Sequence, residues 1–291
     1  MSASPHTDLE RPPLDAESLR RALVAPHGPW TRLEVRAETG STNADVATAA
    51  RAGEPAGLVV IAERQTAGRG RHGRAWQSPP RAGIAVSVLL RPGDSDPDRD
   101  WPPAPTAAFG WLPLLAGVAL AETVTRLAEV DAALKWPNDL LVGGAKCAGI
   151  LAEAVPGARP DEPPAVVLGI GLNVTVRADE LPANPTGLPA TSLKLAGAKL
   201  TDRDPLLRAL LRTLATWYDR WRRAEGNPQV CGLRRAYLEW CVTLGRPVRV
   251  LLPGGEEIIG TAVTVDDDGR LVVRAADGDR AVAAGDVLHL R

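Results

Sequence analysis

Short apolar segments alternate with amphipathic helical patterns along most of this chain, and this alternation limits the folds open to it. Residues 42–51 have the pattern of a helix capped by Ser41, and residues 58–62 and 84–90 that of strands. Further strands are predicted at 133–136, 139–142, 147–154 and 166–174, and further helices at 15–24, 112–130 and 232–241. The pattern predicts a domain that combines strands with helices.

After Gly245 the alternation of strands and helices gives way to short strands only. Residues 266–269, Asp-Asp-Asp-Gly, are a strong hairpin signal. Short strands separated by Gly and Asp turns are predicted at 248–252, 257–265, 271–274, 280–282 and 287–290. A run of short strands of this kind predicts a small closed β-barrel.

Two further segments carry local predictions. Asp204 and Pro205 are expected to open a long helix as its N-cap and its first-turn proline. Residues 91–105, rich in Pro and Asp, are expected to form a solvated loop. The most apolar stretch, residues 109–121, ends at Glu122 and is shorter than the ~20 residues that span a bilayer. We therefore expect no membrane association.

Charge, cysteine and histidine counts disfavour several classes of protein. The 34 basic and 35 acidic residues leave a net charge of -1, whereas a protein that coats nucleic acid is usually strongly basic. The three cysteines form no CxxC pair, which is typical of the reducing cytoplasm. The four histidines form no HExxH motif, so no metal site is expected. These counts favour a cytoplasmic protein that does not bind DNA.

A glycine-rich segment follows the strand at 58–62. Gly68, Gly70 and Gly73 spell GxGxxG, but the residues after Gly73 cannot open the helix that a dinucleotide fingerprint requires, and no GK[ST] follows. What remains is a loop with three arginines and an aromatic ring, which can fold over an anionic ligand. A solvated basic turn and a nucleic-acid-binding arm are the alternative interpretations.

Four other motifs are individually weak. Gly40-Ser41-Thr42-Asn43 is by default a helix N-cap whose free N–H groups could also bind a polar ligand group. Lys135-Trp136-Pro137-Asn138-Asp139 is by default a turn between strands. Residues 144–153, GAKCAGILAE, place Lys146 at the entrance of an apolar strand. Residues 169–174, GIGLNV, place Asn173 inside another, as a core amide or a ligand contact.

The order of these motifs is specific. GSTN, QTAGRGRHGRAW, KWPNDLLV, KCAGILAE and GIGLNV follow one another between residues 40 and 174, and here the chain resembles the biotin–protein ligases. The resemblance implies an α+β fold: a mixed sheet with helices, then a small C-terminal SH3-like β-barrel. The expected units are an N-terminal extension (1–30), a catalytic domain (31–243) and the barrel (244–291). Without a DNA-binding domain before them, the chain resembles the monofunctional class.

The resemblance also implies roles for residues. Ser41, Thr42 and Gln65 would contact the biotin head group, with Asn43 beside them. Arg69, Gly70 and Arg71 would close over carboxylate and phosphate, and Lys146 would bridge the reacting oxygens. Asp139 would accept a proton during transfer. The residues expected on the adenosine side are Trp76, Asn138 and Asn173.

The activity implied is formation of biotinyl-5′-AMP from biotin and ATP with Mg²⁺, followed by transfer of biotin to a lysine. The expected partner is the biotin carboxyl carrier protein domain of acyl-CoA carboxylases. A lipoate–protein ligase, with the same adenylate chemistry, is the nearest alternative. A nucleic-acid-binding protein that uses the Gly-Arg loop is the alternative from another class.

Overall fold

A computed structural model describes residues 11–159, 161–182 and 188–290. The helices are α1 (Ala16–Leu23), α2 (Thr42–Arg51), α3 (Trp111–Ala128), α4 (Arg203–Arg223) and α5 (Leu233–Trp240). The strands are β1 (Arg32–Arg36), β2 (Leu58–Ala62), β3 (Gly83–Leu90), β4 (Ala132–Lys135), β5 (Asp139–Val142), β6 (Ala145–Val155), β7 (Ala165–Asn173), β8 (Pro247–Leu251), β9 (Glu257–Val265), β10 (Leu271–Ala275), β11 (Gly278–Val282) and β12 (Asp286–His289). The predicted succession of strands and helices is confirmed.

Seven strands form one mixed sheet in the order β1-β2-β3-β7-β6-β5-β4. β1 and β2 are parallel, and the other neighbours are antiparallel. β2 and β7 read as nearly continuous apolar runs because they lie inside the sheet and are covered on both faces.

Helices α1, α3, α4 and α5 cover one face of this sheet. The central helix is α3, which has most of its residues buried. By length and composition alone, the helical stretch Thr106–Ala128 could cross a membrane. The apolar helix is therefore longer than the segment 109–121 that the sequence analysis considered. However, 72% of its most apolar part is buried within the fold, as expected of a core helix. Leu19 and Leu23 of α1 belong to the same core.

The opposite face of the sheet is covered only in part. Helix α2 packs Val46, Ala47 and Ala50 against β2, β3 and β7. The Ser41 side chain accepts a hydrogen bond from the Ala44 N–H and begins this helix, as predicted. Beyond the helix, the same face consists of Gly149 of β6 and Gly171 of β7, which have no side chains and so leave room for a ligand.

The C-terminal strands form a second, antiparallel sheet in the order β11-β10-β9-β8-β12. The strands match the predicted ones, but in the part of the chain described here β11 and β12 are not hydrogen-bonded to each other. The prediction of a closed barrel is wrong in this respect. The sheet packs on α3 and shares its core, and the Trp111 and Trp136 indoles donate to the carbonyls of Asp267 and Gly269 (2.8 and 3.2 Å).

Two local predictions are also wrong. Asp202, not Asp204, caps α4, because the side chain of Asp202 accepts from the Asp204 N–H. The segment 91–105 is not simply solvated: the buried Arg222 guanidinium donates to the carbonyls of Arg91 and Pro102. The unit boundaries after residues 30 and 243 stay predictions, and residues 1–10 and 291 lie outside the described residues.

Candidate active site

Two glycines form the floor of the candidate site. Gly149 of β6 is paired with Gly171 of β7, and the Trp76 indole lies across both. A Cβ atom at Gly171 would lie 2.4 Å from Trp76 Cε2, and one at Gly149 would lie 3.2 Å from Trp76 Cζ3. No side chain other than hydrogen would let the indole approach the sheet this closely.

Lys146 stands at the edge of this floor. Cys147 is an extra residue in β6 relative to β5, because Leu140 pairs with Ala148 whereas Leu141 pairs with Lys146. This bulge puts Lys146 on the same face as Gly149, where a Cβ would lie 3.5 Å from Lys146 Nζ. The ammonium is 5.9 Å from the centroid of the Trp76 ring.

The Lys146 ammonium is paired with a carboxylate. Nζ lies 2.6 Å from Asp139 Oδ1, and Asp139 is the less exposed of the two side chains (13% against 31%). The pair therefore keeps a cation at the site, where it can neutralise developing negative charge. The sequence placed both residues in the site, and the structure brings them together.

A cluster of hydroxyl and amide groups, all buried except the half-buried Gln65, lies beside α2. The backbone N–H and Oγ1 of Thr42 both donate to Gln65 Oε1, at 2.9 and 3.1 Å. Ser87 Oγ donates to Asn43 Oδ1 (2.6 Å) and lies 2.7 Å from Thr42 Oγ1. Ser41, the cap of α2, is also buried. Four predicted residues thus meet here, together with Ser87, and the cluster can bind a small polar ligand group.

The glycine loop (residues 68–76) closes on itself. The Trp76 N–H donates to the Gly68 carbonyl (2.8 Å), and the Gly70 N–H donates to the Arg74 carbonyl (2.6 Å). A single short 3₁₀ turn, Arg71–Gly73, is the only helical structure in this loop. The loop is therefore not a dinucleotide fingerprint, which would need a helix after Gly73, as the sequence predicted.

The three arginines of the glycine loop have different partners. Arg69 Nη2 donates to Glu153 Oε2 of β6 at 3.1 Å. Arg71 Nη1 donates to the Gly285 carbonyl (3.2 Å), and Arg74 Nη2 donates to Asp286 Oδ1 (2.7 Å). The structure thus places Arg71 and Arg74 against the C-terminal sheet. It joins Arg69, through Glu153, to Asn43 of the hydroxyl and amide cluster.

The two predicted asparagines are tied to backbone. Asn138 Nδ2 donates to the Ile150 carbonyl, and Asn173 Nδ2 donates to the Thr191 carbonyl, both at 3.0 Å. Asn138 also lines a cavity of about 370 Å³ between α3 and the C-terminal hairpin, and Lys146 and Asp139 are not among the residues that line it. Neither asparagine is hydrogen-bonded to the Lys146–Asp139 pair.

Burial perturbs several groups around the site. It lowers the pKa of the Lys135 ammonium, an effect that the nearby Asp139 carboxylate opposes. Burial also lowers the pKa of Arg71 and raises that of the Cys147 thiol to about 12. Burial, with Lys135 and Arg246 nearby, lowers the pKa of His289 to about 4. Cys147 is therefore an inert thiol, and the positive charge at the site comes from lysine and arginine side chains.

Sequence reasoning missed three residues that complete these contacts: Ser87, Glu153 and Asp286. Ser87 and Glu153 carried a signal, since each is a polar residue inside an apolar strand. Asp286 carried none, because its partner Arg74 is 212 positions away.

Comparison with known proteins defines the class. Residues 40–173 match the model of the Biotin/lipoate A/B protein ligase family, and residues 243–290 match the Biotin protein ligase C terminal domain. The chain belongs to the biotin protein ligases, and the predicted fold class is confirmed. The second match favours this class over the lipoate and nucleic-acid alternatives.

Particular relatives cover almost the whole chain. The chain is 45% identical, over 288 residues and 98% of both sequences, to the biotin--[acetyl-CoA-carboxylase] ligase of Mycobacterium tuberculosis. It is similar in structure to the biotin protein ligase from Aquifex aeolicus in complex with biotin and ATP (TM-score 0.67, 26% identity, 90% of this chain and 100% of that chain). It is also similar to a biotin protein ligase from Leishmania major in complex with biotinyl-5-AMP. That comparison has a TM-score of 0.55 and 25% identity, and it covers 90% of this chain and 99% of that chain.

Proposed function

We propose that this protein activates biotin with ATP to biotinyl-5′-AMP and transfers biotin to a lysine of a biotin carboxyl carrier domain. The observation that carries the proposal is that a paired Lys146 ammonium and a buried hydroxyl–amide cluster border one glycine floor. Such a floor can seat a flat, polar head group next to a cation. The relatives that bind biotin, ATP and biotinyl-5-AMP support this assignment.

The first half-reaction joins two anions. A carboxylate oxygen of biotin attacks the α-phosphorus of ATP, and pyrophosphate leaves with the electrons of the broken P–O bond. Lys146 would stabilise the charge that builds up between the carboxylate and the phosphate. Ser41, Thr42, Asn43 and Gln65 would hold the head group. Arg69, Gly70 and Arg71 would bind the anionic end with charge-assisted and backbone hydrogen bonds.

The second half-reaction forms an amide. The amine of a carrier lysine attacks the acyl carbon, AMP leaves, and the amine loses a proton. We assign Asp139 as the acceptor of that proton, because it is the carboxylate beside Lys146. Trp76, Asn138 and Asn173 are proposed for the adenosine side, which Trp76 could reach as a stacking surface above the glycine floor.

Three finer points belong to the same proposal. Mg²⁺ usually binds through substrate phosphates, water and one or two carboxylates, so we propose that it enters with ATP. We propose the carrier domain of an acetyl-CoA carboxylase as the acceptor, since the relative from Mycobacterium tuberculosis is named for that enzyme. We propose the cytoplasm as the location, which suits three cysteines with free thiols.

One assay tests the function. The protein is incubated with ATP, Mg²⁺ and labelled biotin or lipoate, and acyl-adenylate and pyrophosphate are measured before a carrier domain is added. We expect biotinyl-AMP and pyrophosphate, followed by labelling of a single carrier lysine. Adenylate formed from lipoate alone would support the alternative ligase instead.

A further inference from the structure

Glu153 is a charged residue of β6 that the proposed chemistry does not use. A single oxygen of its carboxylate, Oε2, accepts from two side chains: Asn43 Nδ2 at 2.7 Å and Arg69 Nη2 at 3.1 Å. Asn43 belongs to the hydroxyl–amide cluster, and Arg69 belongs to the glycine loop. Glu153 therefore connects two parts of the site that are otherwise separate.

The connection continues through buried groups. Asn43 is only 5% exposed, and its Oδ1 accepts from Ser87 Oγ, which in turn lies 2.7 Å from Thr42 Oγ1. Thr42 donates to Gln65 Oε1. An unbroken series of polar contacts thus extends from the proposed head-group contacts to the first arginine of the glycine loop.

The charge of Glu153 has a specific effect on this series. Asn43 Nδ2 also donates to the Leu151 carbonyl (3.3 Å), so the amide is held by three partners and fixes the carboxylate oxygen that it touches. The fixed carboxylate then offers Arg69 a charge-assisted hydrogen bond, which is about twice as strong as a neutral one. Arg69 is 46% exposed, and within the described residues the Glu153 carboxylate is the side-chain partner of its guanidinium.

We propose that Glu153 is a positioning residue for biotin binding: it holds Arg69, and with it the first half of the glycine loop, over the hydroxyl–amide cluster. This inference depends on the proposed function. Glu153 does not approach the reacting groups at Lys146 through any hydrogen bond in the described residues. Its loss therefore weakens capture of biotin, whose carboxylate Arg69 is proposed to bind, while Lys146 stays in place for the step between carboxylate and phosphate.

The test is the Glu153→Gln variant, which keeps an oxygen that can accept from Asn43 but removes the charge that holds Arg69. We expect the KM for biotin in pyrophosphate release to rise by up to about fivefold, with kcat and the KM for ATP unchanged from the wild type. The matched control is Glu239→Gln, which neutralises the exposed Arg235–Glu239 pair (3.0 Å) of α5. That variant should keep the wild-type KM.

A double-mutant cycle separates positioning from a structural role. If Glu153 acts through Arg69, Glu153→Gln should add little to the KM for biotin once Arg69→Gln is present. Additive effects, equal rises in both KM values, or a fall in kcat alone would overturn the proposal. Absence of biotin-dependent pyrophosphate release by the wild type would overturn the proposed function instead, so the two failures are distinguishable.

Discussion

The guanidinium of Arg74, in the glycine loop, donates to the carboxylate of Asp286, at the start of the last strand, over 2.7 Å. Arg71 adds a second contact, to the carbonyl of the preceding Gly285. The loop that is proposed to cover the adenylate is therefore held by the C-terminal sheet.

Neutralising Asp286 should loosen this contact. An exposed ion pair contributes about 0.2–1 kcal/mol, so Asp286→Asn should increase the rate of tryptic cleavage at Arg71 and Arg74 by about two- to fivefold. Cleavage is followed by mass spectrometry on the ligand-free protein. The control is Asp279→Asn, which removes an exposed pair with Arg274 in the same sheet and should leave the cleavage rate unchanged. Equal rates for both variants would contradict a specific contact.

Lys146→Ala should abolish most of the first half-reaction. Loss of a donor that stabilises developing charge costs about 10²–10³ in rate, so biotin-dependent pyrophosphate release should fall by that factor. The melting temperature should change little, because the side chain is on the surface of the site rather than in the core. Lys199→Ala, which removes an exposed pair with Glu129, serves as the control with normal rates. Near-normal release by Lys146→Ala would exclude the assigned role.

Arg71→Gly should separate synthesis of the adenylate from its retention. The change removes one of the two contacts with the C-terminal sheet and adds backbone freedom, while Lys146 and Asp139 stay in place. We expect the variant to form biotinyl-AMP but to release it, so that lysines of bystander proteins are labelled without a carrier domain. Complete loss of synthesis, or a retained intermediate without bystander labelling, would contradict the role of the loop as a lid.

His289 should make the stability fall in weak acid. Its pKa is lowered in the fold to about 4, so the unfolded chain binds a proton first as the pH drops below the usual 6.5. The free energy of unfolding should therefore decrease between pH 6.5 and pH 4, by about 1–2 kcal/mol after solvent screening at this half-exposed ring.

Urea unfolding at pH 7.5 and pH 4.5 measures this effect. His289→Gln should lose less stability over that interval than the wild type, because glutamine does not titrate and can still meet Thr243 Oγ1, the present partner of the ring. An identical loss in both proteins would assign the acid sensitivity to groups other than His289.

The bounds of helices and strands could be predicted from the sequence where a single local feature determines them. Residues 58–62 are apolar throughout and form β2 with those bounds, and Ser41 caps α2 as expected. The cap of α4 was misplaced by two residues because Asp202 and Asp204 both suit an N-cap. Such choices depend on where neighbouring turns end, which the local pattern does not contain.

Contacts between distant segments could not be predicted in the same way. Lys146 and Asp139 are close in sequence and occupy neighbouring strands, so the pairing of two adjacent strands is enough to bring them together. Arg69 and Glu153 are 84 positions apart, and Arg74 and Asp286 are 212 apart. Their pairing follows from the register of whole sheets, which only the folded chain defines.

The bulge at Cys147 decides on which face of the sheet Lys146 lies. In an unbroken strand, residues three apart face opposite sides, so Lys146 and Gly149 would be on different faces of the sheet. The bulge takes up the extra residue and so keeps both side chains on one side, whatever the side chain of Cys147 is. Exchange of Cys147 for another small apolar residue should therefore be harmless. Its deletion would leave Lys146 and Gly149 two apart, an even spacing that also keeps them on one side of a regular strand. The position of the ammonium is thus set by the backbone of this strand and not by the side chain at the bulge.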